Sequence, residues 1–398
     1  MLILHPPATL PPLPPGQTVV LEAGLYRGPW VITAPGVRLV ARPGAVLDGG
    51  GKGSALTLSA PGIVVEGLEV RNVGPGDDFY EPDAAVVLYR CEGCLVRGLR
   101  AQGVTAGIRV EQSHRARVEH SLLTGTQAAP GLQAYRSDDV VFRANRIANF
   151  LDNLYVEYGE RVVVEENRLE GAKRYGLHLM FSYRARVRDN QSQRNRVGSA
   201  VMHGAENRLE GNLFAREVGP LRYGLLLQEE WKAVLRGNRF EGNTIGLLSL
   251  DSREVWLETN RFTSNGTALL FARETDRNTL TAQRNTFVGN LHDLAVDDPQ
   301  ARVALRGNAF DRAAPLPVPH LPSSSFALLS ARQPDLSLFA LSPGVLLWEA
   351  AEARVPGLRL LALADLEAQS LPPPRPGLSA AWLGLALLSL WGGVWLRS

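Results

Sequence analysis

The most constraining feature of this 398-residue chain is an asparagine that recurs at a nearly constant spacing. The intervals between successive members are 22, 23, 22, 26, 22, 25 and 23 residues. The column consists of Asn145, Asn167, Asn190, Asn212, Asn238, Asn260, Asn285 and Asn308. A period of this length, made of short apolar alternations and polar corners, is typical of a solenoid.

Each repeat has the composition of β-strands joined by polar corners. A short apolar alternation opens the repeat, and a second β-rich alternation leads to the asparagine. In six segments the opening residue precedes the asparagine by 14 positions, as Gly131 precedes Asn145. Leucine-rich repeats share the period, but the chain shows neither their leucine spacing nor their helical stretch. The pattern therefore predicts an all-β, right-handed parallel β-helix of about a dozen coils over residues 1–310.

The asparagine column is expected to stabilise the corners of the coils. Asparagine tolerates the left-handed backbone conformation that a tight corner requires. Its amide can also hydrogen-bond to the asparagine one coil away, so the column is predicted to form a ladder. The segment from Gly74 to Pro82 interrupts the pattern and is predicted to be a loop that leaves the coil.

The repeat stops after Phe310, and the composition of the chain changes. Residues 311–325 are a Pro/Ser-rich linker, and residues 326–370 are predicted to be a helical or extended region that docks a partner. Residues 378–396 are 19 positions without a charge, which predicts a transmembrane helix, with a buried terminal helix as the alternative. The tryptophans that could anchor this segment at the membrane interface are Trp382, Trp391 and Trp395.

Composition limits the functions that the chain can have. The 42 basic and 40 acidic residues give a formal net charge of +2, which does not favour nucleic-acid binding. Two cysteines, Cys91 and Cys94, are too few for a disulfide scaffold or a four-ligand zinc site. We interpret them as small residues at a coil corner, able to form one disulfide. The N-terminus has neither the charged region nor the apolar run of a signal peptide.

The outward face of the strand that opens each repeat carries the candidate site. Side chains alternate between the two faces of a strand, so the positions two and four after the opening residue face outward. Apart from Met1, the chain has two methionines, Met180 and Met202. Both lie four positions after the opening residue, on adjacent coils. His178 lies on the same face, and His203 follows Met202. Thioethers and imidazoles are a soft donor set that suits Cu(I), so these four residues are the candidate metal ligands.

Two other interpretations of this face stay open. Exposed methionine and tyrosine could form a hydrophobic patch that docks another protein. Alternatively, Tyr135 and Tyr155 could stack on sugar rings while Arg109, Glu111 and Glu157 supply polar contacts. The acidic pairs of the chain sit at polar corners, where aspartate is a common turn residue, and we find no convincing catalytic arrangement. We therefore expect that the protein is not an enzyme.

Several segments of the chain resemble the NosD family. The central segment runs from Arg174 to Ser182 (RYGLHLMFS) and is followed by Val197–Met202 (VGSAVM). The opening LPPGQTVVLEAGLY and the segment Phe326–Pro334 (FALLSARQP) are also similar to the family. The resemblance covers nearly the whole chain. The matched positions of the central segment are Tyr175, His178, Met180, Ser182, Gly198 and Met202.

The resemblance implies a function that depends on partners. Members of the family are periplasmic accessory factors for the copper sites of nitrous oxide reductase. It therefore implies a periplasmic, membrane-associated subunit that supports copper-site assembly, with copper bound transiently. The implied partners are an ABC transporter permease and its ATPase, a copper chaperone and nitrous oxide reductase itself. A carbohydrate-binding or carbohydrate-modifying β-helix is the alternative function.

We also expect a set of partner-binding residues on this face and in the C-terminal region. These are Tyr155, Glu157, Tyr175, Ser182, Arg332, Gln333 and Pro334. The missing signal peptide conflicts with a periplasmic location, which suggests a true start upstream of Met1 or removal of the signal.

Overall fold

The structure, a computed structural model, contains three parallel β-sheets wound around a common axis. It describes residues 1–217, 222–272, 278–297 and 301–311. Beyond these it describes residues 326, 329, 333–339, 342–354 and 369–370. Every strand pairs in parallel with its equivalent in the next coil, which confirms the predicted right-handed β-helix.

Sheet A contains 14 strands, and its outward face carries an ordered row of charges. Its strands are Leu2–Leu4, Thr18–Leu21, Arg38–Ala41, Val64–Glu66, Leu95–Arg97, Arg117–Glu119, Val141–Arg143, Val163–Glu165, Arg186–Arg188, Arg208–Glu210, Val234–Arg236, Val255–Glu258, Thr279–Gln283 and Arg302–Arg306. From Glu66 to Glu258 the last outward residue of each strand alternates between glutamate and arginine from coil to coil. Opposite charges therefore lie side by side across the sheet, which favours this pairing over like-charge neighbours.

Sheet B contains 14 strands, and its inward face contributes a stack of phenylalanines to the core. Its strands are Gly24–Arg27, Ala45–Asp48, Glu69–Arg71, Arg100–Val104, Leu122–Gly125, Arg146–Ala148, Arg168–Glu170, Gln191–Gln193, Leu213–Ala215, Arg239–Glu241, Arg261–Thr263, Thr286–Val288, Ala309–Phe310 and Gln369–Ser370. From Phe214 to Phe310 five rings stack with centroids 4.6–5.2 Å apart. These are the large apolar residues that follow the asparagines by two positions in the sequence.

Sheet C contains 12 strands and carries the candidate site. Its strands are Trp30–Ile32, Leu56–Leu58, Ala84–Tyr89, Ala106–Glu111, Leu132–Tyr135, Leu154–Glu157, Tyr175–Met180, Val197–Met202, Tyr223–Gln228, Ile245–Leu250, Thr267–Ala272 and His292–Asp297. Leu177, Leu179 and Val201 point into the core and are buried, so the residues between them face outward.

The asparagine column forms the predicted ladder inside the corner between sheets A and B. Each side-chain amide donates to the carboxamide oxygen of the next asparagine, at 2.9–3.0 Å from Asn145 to Asn308. The expected left-handed conformation, however, is not at the asparagine. It is at the preceding residue, such as Ala144 or Asp189, whose φ values are 54° and 55°. The turn at that residue directs the following asparagine inward, where only the neighbouring coils can satisfy its amide.

A second polar column, which the sequence analysis missed, lies at the corner between sheets B and C. It runs through Asn195, Asn243, Asn265 and Asn290, with Glu217 in the place of an amide. Asn195 donates its amide to Glu217 Oε1 at 3.3 Å. Burial raises the pKa of Glu217 to about 8, although the hydrogen bonds from Asn195 act in the opposite direction.

Cys91 and Cys94 lie at a coil corner, as predicted, and are joined by a disulfide. Both are fully buried. The described parts of the C-terminal region include a 3₁₀ helix, Pro334–Phe339, and an α-helix, Pro343–Arg354. Gln369–Ser370 extends sheet B by pairing with Ala309–Phe310.

The predicted transmembrane segment, residues 378–396, and most of the predicted linker, residues 312–325, lie outside the described residues. Among the helices that the structure does describe, none has the length and apolar character needed to cross a bilayer.

Candidate functional site

The candidate site lies on the outward face of three neighbouring strands of sheet C. The register aligns Tyr155 with His178 and His178 with Ala200. Two positions further along, Met180 is aligned with Met202 on the next coil. Adjacent strands are about 4.8 Å apart, so the two methionines are immediate neighbours across the sheet. The sequence period predicted this arrangement.

His178 is held by a buried carboxylate that the sequence analysis did not identify. The His178 ring is 5% exposed, and its Nδ1 lies 3.0 Å from Oδ2 of Asp152. The rings of Tyr155 and Tyr175 lie 4.9 Å and 4.6 Å from the imidazole ring. The other ring nitrogen, Nε2, is buried and has no hydrogen-bond partner among the residues that the structure describes. An imidazole in this state can act as a ligand through Nε2 while a carboxylate fixes its orientation.

Asp152 is fully buried and is ionised in this setting. Arg174 donates to its two oxygens from Nε at 2.7 Å and from Nη2 at 2.5 Å. The backbone N–H of Tyr175 donates to Oδ1 at 3.1 Å. Burial acts to raise the pKa of Asp152, but the hydrogen bonds from Arg174 and His178 outweigh it, and the pKa lies below its usual value. Asp152 and Arg174 are one coil period apart, and this is the sequence signal by which the pair could have been found.

The segment from Gly74 to Pro82 was predicted to be a loop that leaves the coil. In the structure this loop also folds back across sheet C. The Phe79 ring lies 4.9 Å from the Tyr155 ring, and the guanidinium of Arg174 lies 4.8 Å from the Phe79 ring centre. Gln133 donates from Nε2 to the carbonyl oxygen of Phe79 at 3.1 Å. The loop therefore closes one side of the site.

The prediction of an exposed face is consequently wrong at the centre of the site. Tyr155 and Glu157 are buried together with His178, because the loop and the neighbouring aromatic rings cover them. The Tyr155 hydroxyl donates to Glu157 Oε2 at 2.8 Å and lies 3.9 Å from the sulfur of Met180. Burial is the main cause that raises the pKa of Tyr155, and the hydrogen bond to Glu157 raises it further. The hydroxyl therefore stays protonated. Met180 and Met202 are half-buried at the edge of this region.

His203 contacts a different set of residues from His178, although both were predicted to be metal ligands. It occupies the coil corner in a left-handed conformation, with φ of 54°. Its Nδ1 lies 3.2 Å from Glu229 Oε2, and its ring stacks on Phe181 with centroids 5.1 Å apart. The His203 ring thus continues a row of stacked rings that includes Tyr158 and Phe181.

The residues that were predicted to bind a partner occupy different settings. Tyr155, Glu157 and Ser182 are buried, so the expectation that they form an accessible surface is wrong. The hydroxyl of the buried Ser182 donates to the carbonyl oxygen of Met180 at 3.2 Å. Tyr175 is half-buried, and burial raises the pKa of its hydroxyl.

The predicted partner-binding residues of the C-terminal region are only partly described. Gln333 is exposed, and Pro334 begins the 3₁₀ helix. Arg332 lies outside the described residues.

The available donors fit Cu(I) better than a hard cation. Within the described ranges, no three His, Cys, Asp or Glu side chains come together as a metal-binding group. Two neighbouring strands of sheet C instead present Nε2 of His178, which has no hydrogen-bond partner among the described residues, and the thioethers of Met180 and Met202 on the same face. Thioether ligands select Cu(I) and imidazole is a suitable copper ligand, whereas magnesium and calcium prefer oxygen ligands.

Residues 123–305 match the family model described as "Periplasmic copper-binding protein (NosD)". The chain is also 35% identical over 139 residues to a probable ABC transporter binding protein NosD of Pseudomonas aeruginosa. That match covers 33% of this chain and 32% of the relative. A protein of the same name from Stutzerimonas stutzeri is 35% identical over 112 residues, which are 28% of this chain and 25% of that protein. The chain thus matches about a third or less of the length of these relatives.

Solved structures share the architecture of the chain at low sequence identity. The periplasmic alginate epimerase AlgG superposes with a TM-score of 0.53 and 13% identity, over 76% of this chain and 83% of its own. A PL6 alginate lyase bound to a trisaccharide gives a TM-score of 0.55 and 12% identity, over 75% and 80% of the two chains. At this identity the similarity shows the fold alone. Residues 123–305, which include the candidate site, are thus the part of the chain that is similar to the NosD family.

Proposed function

We propose that the protein is an extracytoplasmic β-helix subunit that binds Cu(I) transiently and supports assembly of the copper sites of nitrous oxide reductase. The observation that carries the proposal is the unpartnered Nε2 of His178 on the same sheet face as the adjacent thioethers of Met180 and Met202. These residues lie within the region that matches the NosD family. Copper is the cargo in this proposal, and the protein acts without catalysing a reaction.

The chemistry of the donors suits a transient carrier. Neutral thioethers are soft ligands that stabilise Cu(I) without adding charge to the site. Asp152 is already neutralised by Arg174, so a bound cation would meet no uncompensated charge beside His178. Met180 and Met202 are half-buried, which leaves a side from which a partner protein could exchange the ion.

The proposed partners follow from the family and from the names of the relatives. Both relatives are named as probable ABC transporter binding proteins. These names support our proposal that the chain works with an ABC permease and its ATPase, a copper chaperone and nitrous oxide reductase, and that its C-terminal segment contacts the membrane. The Cys91–Cys94 disulfide agrees with an oxidising compartment such as the periplasm.

A carbohydrate-active β-helix is the second candidate function. Tyr155, Asp152 and His178 are acid–base groups within one cluster, and several proteins of the same fold act on alginate. The cluster is buried, however, and Arg174 is already paired with Asp152. A sugar chain would have to displace Phe79 to reach it. Incubation with alginate, with unsaturated or epimerised products measured, would support this alternative if products appear and are lost in a His178→Gln variant.

The proposed function is tested by titrating the full chain with Cu(I) against a competing chelator. We expect one ion per chain, with affinity at least tenfold weaker in the Met180→Leu/Met202→Leu variant, because leucine keeps the volume and removes the sulfur. His178→Gln should also weaken binding. His114→Gln, at an exposed corner histidine that contacts Asp138, is the matched control and should bind as the wild type does. Equal affinity in all variants would contradict the proposal.

A further inference from the structure

We infer that Asp152 is a positioning residue that fixes the tautomer of His178, with the proton on Nδ1 and the lone pair on Nε2. The inference rests on the proposed function in one respect, that Nε2 is the atom offered to copper. The tautomer itself is a property of the protein alone.

The hydrogen bonds around Asp152 require Nδ1 of His178 to be a hydrogen-bond donor. Arg174 is a permanent cation that donates to both oxygens of Asp152, and the backbone N–H of Tyr175 is a third donor, so Asp152 is held as a carboxylate. An ionised carboxylate can only accept hydrogen bonds. Nδ1 of His178, 3.0 Å from Oδ2, must therefore carry a proton. In a neutral ring this leaves Nε2 unprotonated, and Nε2 has no hydrogen-bond partner in the part of the chain that the structure describes.

The packing around the ring keeps it in this orientation. Tyr155 and Tyr175 contact the imidazole ring from neighbouring positions, at 4.9 Å and 4.6 Å between centroids. The aligned residue on the next coil is Ala200, a small side chain. A half-turn flip of the ring would put the carbon Cδ2 in the place of Nδ1 and leave the charge of Asp152 with one donor fewer in a buried site, which is costly.

The two oxygens of Asp152 are not equivalent, and this predicts the effect of Asp152→Asn. Oδ1 accepts from Arg174 Nε and from Tyr175 N, two obligatory donors. Oδ2 accepts from Arg174 Nη2 and from His178, whose ring can change its tautomer. The amide oxygen of the variant should take the Oδ1 position, which places its NH₂ group against Nδ1 of His178. The ring proton should then move to Nε2 and remove the lone pair.

The direct test is ¹⁵N NMR of the full chain labelled at its seven histidines, in mildly alkaline buffer and without copper. His178→Gln identifies the signals of His178. We expect the Nδ1–H tautomer in the wild type and the Nε2–H tautomer in Asp152→Asn. A wild-type ring protonated at Nε2, or at both nitrogens, would overturn the inference without any use of the variant.

Copper affinity is the second readout, and it separates failure of the inference from failure of the proposed function. Asp152→Asn should weaken Cu(I) binding about 10- to 100-fold, the usual effect of removing such a carboxylate. Met180→Leu/Met202→Leu should weaken binding but leave the tautomer unchanged. If the tautomer is as expected and no form binds copper, the proposed function fails and the positioning role stands. If Asp152→Asn inverts the tautomer and keeps full affinity, Asp152 does not position a ligand.

Discussion

At the scale of single residues, this protein buries polar groups that only the neighbouring coils can satisfy. Glu230 is an example, because it accepts from Asn207 Nδ2 at 2.8 Å and from the backbone N–H of Gly204 at 3.2 Å. Burial raises its pKa to about 8, as it does for Glu217. Such groups maintain register as long as each has its partner, and they destabilise the fold when it is lost.

The two buried glutamates predict how stability depends on pH. Their pKa values are raised from 4.5 to about 8 in the folded chain, so the folded state binds these protons more tightly than the unfolded state does. Their contribution is therefore complete below the unfolded value and is lost as the pH rises from about 4.5 through about 8. Denaturant unfolding should show a lower midpoint at the alkaline end of this window.

Glutamine variants provide the control for this prediction. Glu217→Gln and Glu230→Gln keep the shape of the side chain and remove its charge, so each should raise the midpoint near pH 8 and flatten the pH profile. Glu241→Gln, on the outward face of sheet B, should leave the profile unchanged. A wild-type midpoint that does not change between pH 5 and pH 8 would contradict the assignment.

At the scale of elements, the strands of each coil are short, and side chains at the corners between them make specific contacts between coils. Many strands of sheets A and B have only three residues, so the amide ladder provides a large share of the specific contacts between coils. Asn212 accepts from the backbone N–H and the amide of Asn190, and its own amide donates to Val187 and Asn238.

Removal of one ladder member should therefore be costly. Asn212→Ala would leave the backbone N–H and the amide of Asn190 buried without their acceptor. We expect it to lower the free energy of unfolding by about 2–5 kcal/mol, from two unsatisfied groups. Gln191→Ala, at an exposed position on sheet B, should change it by less than about 0.5 kcal/mol. Equal effects of the two substitutions in urea unfolding would show that the ladder contributes nothing specific.

At the scale of the whole molecule, the β-helix is a one-dimensional stack in which each coil contacts its neighbours. This explains which features could be predicted from the sequence. The asparagine ladder and the alignment of Met180 with Met202 repeat with the coil period, so counting residues was enough to find them. The backbone conformation of the corner could not be found by counting residues. The left-handed conformation was predicted at the asparagine, one position after the residue that adopts it.

The features that were missed depend on contacts that the period does not describe. Phe79 belongs to a loop inserted between coils, and its path over Tyr155 is fixed by tertiary contacts rather than by register. Its cover over the site made the exposure of Tyr155 and Glu157 unpredictable. Asp152 was missed because it is in a corner, where aspartate is common for reasons of local turn geometry.

The central claim is that a copper ion binds to the thioethers and the imidazole on sheet C, and X-ray absorption spectroscopy of the Cu(I)-loaded full chain tests it most directly. We predict a copper shell that contains sulfur and one imidazole nitrogen, and loss of the sulfur in Met180→Leu/Met202→Leu. A shell without sulfur in the wild type, or the same shell in the double variant, would contradict the claim.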